Sequence, residues 1–529
     1  MFVRAKASGD YHYLQLVENH REGKRTVQRV VCTLGRVDKL MSSGATDVLL
    51  RSLARFGQQV KVVEGYRQGH LQAGAIRQVG PDLVFGRLWR DLGIGKVLKE
   101  LLQERRFEFP LERALYLTVL HRLFDPGADR ACDRWKRDVY VPGTEVLELH
   151  HLYRAMRWLG ESKDSVEEAL FQRRKDLFTE LSLVFFDTTS IYFEGRGGES
   201  LGQNGHSKDH RPDLKQMVMG AVLTGDGRPI CCEMWPGNHT DVKALLPVVD
   251  RLRERFQLKQ VCWVADRGMI SKNTIEGLEG RQMKYILGAR MRRTKEVREV
   301  LLKAEGKYQD VGENLKVKEV WIGEKRYIAC YNPKEATKDA TDREAIIESL
   351  REHLKKGAGG LIGNKGYRRY VRVSRGAVSI DEKKIEAEAR FDGKFVLRTN
   401  SDLPASEVAL QYKRLQQVEH FFRSVKSLLE TRPVYHHWNA TIRGHVFCSF
   451  LALVLMHELR ERLAAKGCQV EWDHLCQDLE ALAEVEVRDG DQWYRLRTAL
   501  QGVAGKVLQA VGVAIPPPAQ PMSNVVPRN

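Results

Sequence analysis

Three carboxylates in this chain stand where their surroundings would suit metal-ion chemistry: Asp187, Asp266 and Glu419. Asp187 ends the apolar run Leu183–Phe186 in LVFFDTTSIY, and Asp266 ends Val261–Ala265 in VCWVADRG. Short apolar runs with polar flanks suit strands buried on both faces. A carboxylate at the mouth of such a strand is rigidly held yet reachable. Each Asp, taken alone, also reads as a turn cap. If the two strands are central and neighbouring, their carboxylates meet at one sheet edge. That proximity is costly without a cation between them. An oxygen-only donor set suits a hard divalent ion such as Mg²⁺ or Mn²⁺.

Glu419 lies in PASEVALQYKRLQQVEHFFRSVKSLLE, which reads as one long helix. Leu415, Val418, Phe422, Val425 and Leu429 step by three and four and form an apolar stripe. Tyr412, Glu419 and Lys426 are spaced by seven and run along one side of a straight helix, bordering that stripe. From there Glu419 could reach a metal held by the two strand carboxylates, and Lys426 a phosphate. The competing reading is an amphipathic helix with ordinary flanking charges.

The elements that must position these residues alternate as in an α/β protein. After the Asp187 strand comes a basic loop with Lys208, Arg211 and Lys215. Two strand-like runs follow, Met217–Leu223 and Pro229–Met234, turned by GDGR. Next come a helix from Thr240 to Phe256, the Asp266 strand, a helix from Ser271 and a strand at Tyr285–Gly288. The divisions predicted are a basic hairpin plus helix over 1–75 and a helical region over 76–181, whose basic residues fit either a DNA-binding module or a solvated bundle. The first part of a catalytic core spans 182–290 and a β-rich insertion 291–394. The second core part, with the Glu419 helix, spans 395–465, and a helical region with a Pro-rich tail completes 466–529.

The chain has 529 residues and a net charge of +17. An excess that large points to a polyanionic partner, with an anionic membrane surface as the alternative. The longest apolar run, Val446–Met456, is shorter than a membrane span and reads as a core helix. The N-terminus lacks the apolar block of a signal peptide. Nine scattered cysteines without C-x-x-C or paired Cys/His spacing exclude the usual zinc modules and fit a reducing cytoplasm. His436 and His437 read as surface or DNA-facing.

At these residues the chain resembles a bacterial insertion-sequence transposase of the DDE type, of the insertion-sequence-four superfamily. FFDTTS resembles the first Asp motif and VADRG the second. The family's third signature, Y-x₂-R-x₃-E-x₆-K, matches at Tyr412, Glu419 and Lys426, with Leu415 at its Arg position. The resemblance implies a ribonuclease-H-like core, a mixed sheet flanked by helices, interrupted by a β-rich insertion. It implies that Asp187, Asp266 and Glu419 hold two Mg²⁺ or Mn²⁺ ions for cut-and-paste cleavage and strand transfer. Tyr412, Arg423 and Lys426 would contact phosphates near the cut, and Trp321, by its region, would stack on a flipped base. The implied partners are double-stranded DNA, as terminal inverted repeats and as target, and a second copy of the chain. No membrane is implied, and the location would be the cytoplasm. The rival readings are a metal-dependent nuclease of the same fold and a transposase-derived DNA-binding protein without chemistry.

Overall fold

The computed structural model describes residues 1–22, 25–54, 65–102, 105–173, 182–256, 261–299, 301–303, 306–356, 367–374 and 377–522. The chain divides into two compact units. One comprises Met1–Gln78, Ala481–Leu500 and Ile515–Asn529, and the other Val79–Glu480 and Gln501–Ala514.

In the first unit β1 (Phe2–Ser8), β2 (Tyr11–Glu22) and β3 (Arg25–Arg36) form an antiparallel meander. The expected hairpin is therefore the second and third strands of a three-stranded sheet. Two short helices, Val37–Ser42 and Ala45–Ala54, stand where one helix was expected. A further strand, β4 (Leu71–Gln78), belongs to a separate sheet of this unit, described below.

The second unit opens with helices between Gly80 and Arg173. Its central sheet begins with β5 (Leu183–Tyr192), β6 (Gln216–Thr224) and β7 (Pro229–Pro236), an antiparallel meander. The helix Asp241–Phe256 leads to β8 (Cys262–Ala265), and the helix Lys272–Gly280 to β9 (Lys284–Gly288). β8 lies parallel to β5, and β9 parallel to β8. The order β7-β6-β5-β8-β9 is the 3-2-1-4-5 sheet of a ribonuclease-H-like core. β6 is buried at every position, which explains its uninterrupted apolar sequence. Ala244, Leu245, Val248, Val249, Leu252 and Phe256 of the following helix bury against Phe186, Trp263 and Tyr285 of the sheet. Each such large side chain contributes roughly 1.5–3 kcal/mol by leaving water.

The insertion adds β10 (Gln309–Gly312), β11 (Leu315–Ile322) and β12 (Lys325–Tyr331), then the helix Pro333–Lys356. β13 (Val371–Ser374) and β14 (Ala377–Ile380) make a small hairpin. β15 (Lys394–Thr399) pairs with both β12 and β9. The insertion therefore extends the core sheet to nine strands.

The helix Asn439–Ala465 is long and apolar enough to cross a membrane by composition, but 83% of its apolar window is buried inside the structure. It crosses the helix Leu149–Glu161 at Gly160 and Gly444. A Cβ on either would overlap the other helix's backbone. Beyond it the expected helical continuation is only partly present. The helices Trp472–Glu480 and Ala504–Val511 belong to the second unit. β16 (Ala483–Asp489), β17 (Gln492–Arg497) and β18 (Ala519–Pro521) form, with β4, a four-stranded sheet in the first unit. The alternation in AEVEVRD and QWYRLR is a strand pattern. The Pro-rich tail thus begins with a paired strand, and its residues 523–529 lie outside the described residues.

Candidate active site

The parallel pairing of β5 and β8 brings Asp187 and Asp266 together. Phe186 stands opposite Ala265, so the next residue on each strand is a carboxylate. Parallel neighbours present their carboxyl ends on the same sheet edge, where α/β proteins place their sites. β5 does not stop at Asp187 as expected; it continues to Tyr192 against β6. Within Leu183–Ile191, Asp187 is the one residue that keeps partial access to solvent. A carboxylate in the middle of an interior strand is held more firmly than one at a strand mouth.

Burial pushes the Asp187 carboxyl up to about 7. The Lys208 ammonium and a hydrogen bond from Thr188 N (2.7 Å) oppose that rise, while the charges of Asp266 and Asp241 add to it. Asp266 is fixed from two sides: Tyr412 OH donates to its Oδ1 (3.1 Å) and Gly268 N to its Oδ2 (3.3 Å). Arg290 donates to the carbonyls of Arg267 (3.0 Å) and Gly268 (2.8 Å), pinning the turn that carries Asp266. Tyr412 reaches this point because residue 288 is glycine. A Cβ there would collide with the Tyr412 hydroxyl. Burial, then the Asp266 charge, raises the Tyr412 phenol above its usual range, so it stays a donor.

The site contains one residue that the sequence reading passed over. Asp241, the first residue of its helix, accepts a hydrogen bond from Thr188 Oγ1 (2.6 Å) and an ion pair from Lys208 (3.2 Å). Lys208 Nζ also donates to the carbonyl (2.7 Å) and hydroxyl (2.9 Å) of Thr188. The available signal was an Asp at a helix start directly after the meander, where the N-terminal dipole favours a carboxylate.

The helix carrying Glu419 is not straight. It divides into Ala405–Lys413 and Gln416–Arg423, followed by a π-helical turn, Ser424–Leu428. Tight bonds such as Leu415 N to Tyr412 O overwind the first junction, and the wide Leu429 N to Ser424 O bond underwinds the second. The five-residue apolar stripe is buried as expected. The two junctions interrupt the uniform α-helical winding from which the seven-residue alignment of Tyr412, Glu419 and Lys426 was extrapolated. Tyr412 faces Asp266, Glu419 is exposed, and Lys426 pairs with Asp209 (2.7 Å). Among the described residues no group of three or more His, Cys, Asp or Glu side chains is arranged to hold a metal ion. The two aspartates are an oxygen-only pair with mutual repulsion, which suits a hard divalent cation; the third carboxylate does not join them in this structure.

The remaining candidates fall around this edge or away from it. Arg423 and Lys215 are exposed. Arg211 is exposed, paired with Asp213 (2.8 Å), its guanidinium over the Tyr192 ring. Trp321 is 59% exposed and donates to Glu319 (2.8 Å), at a cleft of about 450 Å³ shared with Arg326 and Arg398. It is therefore no core residue. His436 is half-buried rather than fully surface-facing: its ring packs on His445 (5.1 Å), and burial pushes its pKa down to about 4.

A carboxylate pair carried on adjacent parallel strands of a ribonuclease-H-like sheet defines a class of metal-dependent phosphoryl-transfer proteins. The family model of the transposase DDE domain matches residues 179–455, more than half of the chain, which belongs to that family of DNA-cleaving and strand-transferring enzymes. Residues 3–61 match the N-terminal domain of IS1634 family transposases, a grouping that replaces the expected insertion-sequence-four assignment. No curated protein matches the sequence. Similar solved structures include the piggyBac transposase synaptic complex with hairpin DNA, at 11% identity over 76% of this chain and 79% of that one, TM-score 0.37. Two Mos1 structures are similar at 14% identity over 34% of this chain. They are the paired-end complex with left transposon end (60% of that chain, TM-score 0.15) and the mariner paired-end complex with Mn (61%, 0.14).

Proposed function

We propose that this protein is the cut-and-paste transposase of an IS1634-type insertion sequence, acting on the element's terminal inverted repeats. The observation that carries this reading is the β5–β8 register, which sets Asp187 beside Asp266 in a chain of the DDE family. The two aspartates, together with Glu419, would hold the divalent ions. Bound Mg²⁺ or Mn²⁺ supplies an activated water and neutralises charge on the departing 3′-oxygen.

The chain's own residues do the rest. Tyr412 and the Gly268 amide orient Asp266. Lys208, anchored by Thr188 and Asp241, presents positive charge beside Asp187 for a phosphate oxygen. Arg211, Lys215, Arg423 and Lys426 contact the DNA backbone, positioning it without reading sequence. Trp321, exposed on the insertion, is free to stack on an unpaired base. The protein acts in the cytoplasm as a homodimer that joins two ends.

The test is excision of a marker flanked by the element's own ends, comparing wild type with Asp266→Ala. Excision abolished by the substitution supports the reading. Soluble wild-type protein that binds the ends yet excises nothing would leave a DNA-binding protein without chemistry.

A further inference from the structure

We propose that Lys426 and Arg432, both fixed by Asp209, form a two-cation seat for the DNA phosphate next to the one being cut. This rests on the transposase reading above. Lys426 Nζ lies 2.7 Å and Arg432 Nη1 2.5 Å from the same oxygen, Asp209 Oδ1. The Asp209 side chain is only 6% exposed, Lys426 12% and Arg432 24%. Asp209 Oδ2 is buried without a hydrogen-bond partner. One carboxylate thus faces two cations in a largely dry setting, and a net positive charge remains. Uncompensated charge is expensive where water is excluded, and an incoming anion relieves the cost.

The placement suits a phosphate near the cut. Asp209 follows Lys208, whose ammonium touches Thr188 and Asp241 beside Asp187. The loop therefore carries one cation at the carboxylate edge and organises two more a short step away. The Arg432 guanidinium also lies over the Tyr192 ring, 5.5 Å from its centre, which fixes the plane of its donor fork. Burial lowers the Lys426 pKa; Asp209 opposes that, while Arg432 and Lys208 add to it, as expected of a cation-rich pocket. Arginine suits such a seat because its fork holds two phosphate oxygens at once. Asp209 is a positioning residue here: its carboxylate holds the two cations rather than the DNA.

The test uses the full-length protein and a duplex of its own terminal repeat, with binding followed by fluorescence anisotropy across a salt series. Arg432→Gln is expected to make the slope of log K against log salt shallower by about 0.9, the release of one phosphate contact. An unchanged slope with a lowered melting temperature would overturn the proposal, leaving Arg432 as a neutraliser of Asp209 only. Should Arg432→Gln fail to fold, Arg432→Lys decides. It keeps the charge and is expected to retain the slope while weakening binding at least threefold; unaltered affinity would overturn the seat. Wild type without salt-dependent binding to the repeat would sink the transposase reading as well. Wild type that binds and excises while both variants behave like it would sink the seat alone.

Discussion

Asp187 should make the metal-free protein less stable than it could be, and Asp187→Asn should reveal by how much. Its carboxyl titrates near 7 in the folded protein, chiefly because it is buried, against near 4 in an unfolded chain. The folded state therefore binds this proton more tightly than the unfolded state. Stability falls as pH climbs from about 4 to about 7, and the full penalty is present above that. The difference corresponds to about 4 kcal/mol at pH 8 as an upper value and about 1 kcal/mol at pH 4.5. Residual solvent access lowers the first figure to about 2–4 kcal/mol. The isosteric amide removes the charge and keeps the shape. At pH 8 in EDTA the variant should melt roughly 2–6 °C above wild type, and at pH 4.5 the gap should largely close. Adding Mg²⁺ at pH 8 should raise the wild type and leave the variant unmoved. The measurement is scanning calorimetry at both pH values, with and without Mg²⁺. An Asn variant less stable than wild type at pH 8, or equally shifted at both pH values, would refute the argument.

Two further outcomes follow from the same geometry. Tyr412→Phe deletes the donor to Asp266 Oδ1 and should slow excision about 10- to 100-fold, the worth of a hydrogen bond to a charged group, while raising the Mg²⁺ concentration for half-maximal cleavage. An in vitro cleavage assay titrated with Mg²⁺ checks this, and an unaltered titration curve would count against an orienting role. Gly444→Ala should destabilise the second unit by about 3 kcal/mol, because the new methyl would overlap the Met156 carbonyl where two helices cross. Gly280→Ala, with no atom within 4 Å of its Cβ, serves as the thermal-melting control and should be neutral or slightly stabilising.

Much of the core was legible because burial and period leave a direct trace in sequence. The apolar runs before Asp187 and Asp266, the meander around GDGR and the stripe from Leu415 to Leu429 all correspond to elements found. Each depends on which side chains must leave water, a local property. The carboxylate pair was legible for the same reason, since two buried strands ending alike could serve one edge if they were neighbours.

What only the tertiary structure decided is how distant segments meet. The parallel β5–β8 register turned two isolated aspartates into a pair. β15 joined the insertion to the core sheet, and β16–β18 paired with β4 from the other end of the chain; such pairings are long-range and leave no periodic trace. The straight helix extrapolated from Tyr412 to Lys426 is divided by one tight junction and one π turn, which apolar periodicity alone does not reveal. Asp209 carried no distinctive local pattern, and Asp241 only that of an acidic residue at a helix start. Their roles come from the cations that packing sets against them, Lys208 for one and Lys426 with Arg432 for the other. Sequence determined which residues would be buried and where strands and helices would form; packing determined which charges face each other, because Coulomb energy depends on distances that only the assembled sheet sets.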